Sequence, residues 1–87
     1  MINRVEFELD AIEDLDQMSP VVRDRILRKI NWLALNFEQS APQSLKSNLS
    51  GFYKLRIGDY RVIYEVEPET QVLVVVRVGH RREIYDQ

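Results

Sequence analysis

The stretch YKLRIGDYRVIYEV, residues 53–66, constrains the fold most. Apolar and polar residues alternate on both sides of Gly58-Asp59, the pattern of two strands joined by a tight turn. With Gly58 at the position that needs positive φ, Ile57 pairs with Tyr60, and the register is set along the hairpin: Arg56 opposite Arg61, Leu55 opposite Val62, Lys54 opposite Ile63. Tyr53, Leu55, Ile57, Tyr60, Val62 and Tyr64 then share one face, and Lys54, Arg56 and Arg61 share the other. Like charges directly opposite in a sheet cost a few tenths of a kcal/mol or more. A purely structural strand pair favours a carboxylate at one of these positions.

The rest of the chain supplies what the hairpin packs on. RVEFEL, residues 4–9, alternates and reads as a first strand. From Asp10 the period changes, with Ala11, Ile12, Leu15 and Met18 at helical spacing and acidic residues early, where the helix dipole favours them. Ser19-Pro20 supplies an N-cap hydroxyl and a first-turn proline for a second helix. Val22, Ile26, Ile30, Leu33 and Phe37 form its apolar stripe, and Arg23, Arg25, Arg28 and Lys29 read as a solvated face. Trp32 and Phe37 read as packing residues. Residues 38–51 are rich in Ser, Asn, Gln and Pro and read as a loop holding a short turn around Leu45 and Leu49. Strands over 52–57, 60–66 and 72–78 finish the chain, with VLVVVRV the most buried. The architecture is α+β: a strand, a helical hairpin and a three-stranded antiparallel meander in one sheet, helices on one face, as a single domain over residues 1–87.

Composition narrows the function. The 87 residues allow one modest core. The absence of cysteine removes disulfides and thiolate metal sites, and makes the cytoplasm the expected location. Neither a signal peptide nor a membrane span is expected, since the longest apolar run is VLVVV. Net charge is −2, and the halves 1–50 and 51–87 carry six basic residues each, so any cationic signal is local. Beyond the hairpin, VGHRREIYDQ (78–87) leaves the last strand through Gly79 and adds His80, Arg81, Arg82 and Tyr85. Cations with a stackable aromatic suit phosphates and bases. No Asp/Glu/His cluster has metal-ligand spacing, and neither a phosphate loop nor a nucleophilic Ser or Cys arrangement is present. No cofactor is expected.

LSGFYKLRIGDYRVIYEV followed by VVVRVGHRREIYDQ resembles the C-terminal half of RelE-type toxins of type II toxin–antitoxin pairs, in the RelE/ParE superfamily, and the order of elements agrees over the whole chain. The resemblance implies a microbial-ribonuclease-like fold and a ribosome-dependent, metal-independent endoribonuclease that cuts mRNA in the decoding site. Its implied partners are the ribosome, mRNA and a RelB-like antitoxin. The family's catalytic set falls on Lys54, Arg56, Arg61, Arg81 and Tyr85: Lys54 as base for the 2′-hydroxyl, Arg61 as stabiliser of the phosphorane, Arg81 as proton donor to the leaving 5′-oxygen, and Tyr85 as the aromatic that orients the nucleotide. Arg56 stands where these nucleases often have lysine, and takes an electrostatic role only. His80 is a rival acid or base. A lysine crowded by two arginines has its protonated form disfavoured, which suits a base. Two other functions stay open: a ParE-type toxin acting on DNA gyrase, and an inactive module that only binds antitoxin.

Overall fold

The computed structural model describes residues 2–37, 43–44 and 52–80. Strand β1 (Arg4–Phe7) leads into helices α1 (Leu9–Asp16) and α2 (Pro20–Leu35). A two-residue strand β2 (Gln43–Ser44) precedes β3 (Phe52–Ile57), β4 (Tyr60–Glu67) and β5 (Val72–His80). The sheet order is β1-β5-β4-β3-β2. The meander is present, and the first strand lies parallel to the last, with Phe7 opposite Val75.

The first strand stops earlier than its alternation predicts. Leu9 is the first residue of α1 and is 68% exposed, because β1 ends where the Glu8 N–H reaches the Val75 carbonyl at 2.9 Å. In α1, Ala11 and Leu15 enter the core and Ile12 stays exposed, as an i, i+4 pair on a short helix dictates. Helix α2 starts as read: Ser19 Oγ accepts from the Val22 N–H at 3.3 Å and Pro20 occupies the first turn. Such a cap contributes about 1 kcal/mol. Ile26, Ile30 and Leu33 are buried, and Val22 and Phe37 pack beside them.

These side chains meet Ile57, Val62, Tyr64, Leu73, Val75 and Val78 in one core between the helices and one sheet face. Tyr64 is 1% exposed and stacks on Tyr53, with centroids 5.5 Å apart, and Phe37 meets Tyr53 edge-on at 6.4 Å. Phe37 is the packing residue expected. Among the described residues the opposite sheet face has only a small cluster, Ile63 with Phe52 and Val76. That asymmetry leaves the second face available for charge. The short β2 falls within the segment read as loop, and pairs Gln43 with Lys54. The turn read around Leu45 and Leu49 lies outside the described residues. The last strand runs two residues beyond the predicted end, through Gly79 to His80, because β4 continues to pair with it.

Candidate active site on the open sheet face

The β3–β4 hairpin has the register its sequence dictates: Ile57 opposite Tyr60, Arg56 opposite Arg61, Leu55 opposite Val62 and Lys54 opposite Ile63. Gly58 has φ +59° while Asp59 stays negative, the pattern of a type II′ turn, whose twist matches that of the strands. In such a hairpin the residues flanking the turn are hydrogen-bonded to each other, so the next pair, Arg56 and Arg61, is the type whose side chains lie closer together. Lys54 is diagonal to Arg61, at about 7 Å by the ordinary spacing of a sheet. Arg56 is exposed, Lys54 and Arg61 are half-buried, and the Arg61 Nε atom is buried. Among the described residues no carboxylate is directly opposite any of the three, and Glu65 lies diagonal to Lys54 on the same face. Directly across from Arg61 on β5 is Gly79, which contributes no side chain to that face. Three cations on one face of a hairpin have the chemistry to donate charge-assisted hydrogen bonds to phosphate oxygens.

His80 is placed differently. It stands opposite Tyr60, with which it makes an edge-to-face contact (5.5 Å, 75°), and residues directly opposite in a sheet share a face. Its ring therefore lies on the helix-side face and not with Lys54, Arg56 and Arg61. Arg81 and Tyr85 lie outside the described residues.

A second cationic feature adjoins the first. A groove of about 700 Å³ separates α2 from the hairpin turn, and Arg25, Arg28, Lys29, Trp32, Arg56 and Gly58 are among its lining residues. Trp32 is not a core residue, as its sequence reading had it: it is 47% exposed, with Lys29 Nζ 4.3 Å from its ring centroid. The signal was present, since Trp32 falls off the 22/26/30/33/37 stripe by about 120°, a third of a helical turn. Arg23 also departs from the solvated face predicted for it. It turns back to the end of α1, its Nε donating to the Leu15 carbonyl and its Nη2 to that of Met18, both at 3.1 Å. Arg25 reaches over the turn, so that a Cβ built on Gly58 would lie 2.8 Å from its Nη2.

A helical pair on one face of a mixed sheet, with cations massed on the central hairpin of the other, is the frame of a small toxin fold. The chain belongs to the RelE/ParE family of type II toxin–antitoxin toxins: the family model described as ParE toxin of type II toxin–antitoxin system, parDE, matches residues 5–85. It is 32% identical over 85 residues to Toxin RelG of Mycobacterium tuberculosis, with 93% of each chain covered. Among solved structures it is similar to the RelBE2 toxin–antitoxin complex of M. tuberculosis, with a TM-score of 0.81 and 26% identity over 93% of this chain and 100% of that one. The archaeal RelE–RelB complex from Pyrococcus horikoshii shares the fold, with a TM-score of 0.71 and 24% identity over 97% and 100% of the two chains.

Proposed function

We propose that this toxin is a ribosome-dependent endoribonuclease that cuts mRNA in the decoding site, in the cytoplasm, and is silenced by a RelB-type antitoxin. The observation that carries the reading is the Arg56–Arg61 pair with Lys54 on the same face, a like-charge arrangement the fold does not need. Lys54 takes the proton of the 2′-hydroxyl, whose oxygen attacks the adjacent phosphorus. The O2′–P bond forms and the P–O5′ bond breaks, leaving a 2′,3′-cyclic phosphate and a 5′-hydroxyl. Arg61, with Arg56 beside it, holds the phosphorane oxygens as charge builds there. Arg81 returns a proton to the leaving 5′-oxygen, and Tyr85 orients the nucleotide. His80, on the other face by its register with Tyr60, takes no proton in this scheme.

In-line placement of the 2′-oxygen supplies several kcal/mol by itself, so a ribosome that holds the mRNA leaves the toxin little acid–base work. Activity on free RNA is then negligible. The antitoxin partner is supported by the relatives, which are RelBE and RelE–RelB toxin–antitoxin complexes. The ParE description of the matching family favours a second reading, a toxin aimed at DNA gyrase.

Primer extension on a defined mRNA in a reconstituted translation reaction, with stalled ribosomes compared against naked RNA, separates the two. Discrete cuts within the decoding-site codon, absent without ribosomes, are expected. A folded, growth-inhibiting protein that makes none, and that blocks gyrase supercoiling instead, overturns the nuclease.

A further inference from the structure

We infer that Asp14 is a positioning residue: its carboxylate clips the end of β5 and so holds Gly79 in register beside Arg61 on the cation face. The functional part of this inference rests on the nuclease reading above.

The need for a clip follows from the sheet. β1 accompanies β5 only as far as Val75, so residues 76–80 of β5 have β4 on one edge and no described strand on the other. The register also slips between Ile63 and Tyr64, where Val76 is the extra residue on β5. A bulge bends a strand and increases its twist, and a bulged segment with one open edge is the most deformable part of such a sheet. His80 lies four residues beyond that bulge.

Asp14 occupies the open edge. One carboxylate oxygen accepts from the Val78 N–H at 2.9 Å and from Arg77 Nε at 2.8 Å, and the other accepts from Arg77 Nη2 at 3.1 Å. The side chain thus takes the hydrogen bond that a neighbouring strand would otherwise provide, and holds Arg77 bidentately in the same grip. It is only 17% exposed, and Ala11 and Leu15 anchor its helix in the core, so the carboxylate is rigidly placed. The two partners are 63 and 64 positions away along the chain. No feature of the RelE-like sequence motifs includes Asp14.

The test uses the full-length protein and two readouts. In Asp14→Asn, the amide of Val78 is expected to exchange at least tenfold faster while those of Leu73 and Tyr64 keep their rates, and the Tyr60–His80 ring contact weakens by NMR. In the ribosome assay kcat falls at least tenfold with KM unchanged, and Asp14→Glu, which keeps the charge, recovers part of the rate. Arg77→Ala, which spares the Val78 bond, loses less. A uniform rise in exchange over the whole sheet, or a kcat loss no larger than the loss of folded protein, assigns Asp14 to stability alone and overturns the inference. If the parent protein cuts no mRNA, the nuclease reading falls. Asp14→Asn then decides through exchange and growth inhibition, and a folded variant as toxic as the parent with Val78 still protected overturns the clip.

Discussion

Replacing Arg56 by glutamate is expected to stabilise the protein while destroying its activity. Arg56 faces Arg61 directly across the hairpin, in the pair type with the closer side chains. Opposite-charge and like-charge cross-strand pairs each shift stability by about 0.2–1 kcal/mol, in opposite senses, so converting one to the other gains about 1 kcal/mol. The groove that reaches Arg56 is lined by Asp24 as well as by Arg25 and Arg28, and Arg28 is paired with Asp24 at 3.0 Å, so the α2 charges leave this figure unchanged. Arg56 is exposed, and screening with a Debye length of about 8 Å at physiological salt keeps the gain near this figure. For a chain of this size about 1 kcal/mol raises Tm by about 4–8 °C. Calorimetry at low salt and in 1 M NaCl, where the Debye length falls to about 3 Å, checks the cause, because an electrostatic gain shrinks with salt. Arg56→Gln, which removes repulsion without adding attraction, is expected to fall midway. Decoding-site cleavage by Arg56→Glu should drop at least 100-fold, since the carboxylate repels the scissile phosphate. A variant with a lowered Tm, or with an unchanged cutting rate, refutes the claim that the hairpin keeps its cations at a cost for phosphate binding.

Arg61→Ala is expected to abolish growth inhibition with the fold retained, and His80→Ala to keep substantial activity; circular dichroism beside plating assays tests both, and equal loss in the two variants removes the face-based assignment. Gly58→Ala forces a side chain into φ +59° and against the Arg25 guanidinium, and should cost about 1–2 kcal/mol, of which Arg25→Ala relieves only the steric part, as urea titration of the single and double variants measures. Burial, with a smaller contribution from Tyr53, pushes the Tyr64 hydroxyl up from 10 to about 12. Below pH 10 it is protonated in both folded and unfolded chains. Between pH 10 and 12 the unfolded chain releases the proton first, so stability falls by about 1.4 kcal/mol per pH unit, or about 2.7 kcal/mol in total, and Tyr64→Phe should lose that component of the alkaline slope.

Much of the candidate site was legible before any coordinates. Alternation about Gly58-Asp59 determined the hairpin, its register and the common face of Lys54, Arg56 and Arg61, because a two-residue turn leaves no freedom to slide. Ser19-Pro20 marked the start of α2, and the 22/26/30/33/37 stripe marked its buried side. These are local rules, set by backbone geometry within a few residues, and they act before distant parts of the chain meet.

Contacts between residues far apart in sequence decided the rest. Parallel docking of β1 on β5 ended the first strand at Phe7 and turned Leu9 outward, although the alternation of residues 4–9 continues through it. Pairing with β4 lengthened β5 to His80 and placed the histidine opposite Tyr60, away from the cations that lie close to it in the sheet. The fold of α2 over the hairpin brought Arg25, Arg28 and Lys29 to Arg56 and left Trp32 at the groove, while α1 carried Asp14 to Arg77 and Val78. Periodicity states which side of an element is apolar. Which element covers that side, and which polar group reaches an open edge, depends on packing free energies summed over the whole core, and only the tertiary structure expresses that sum.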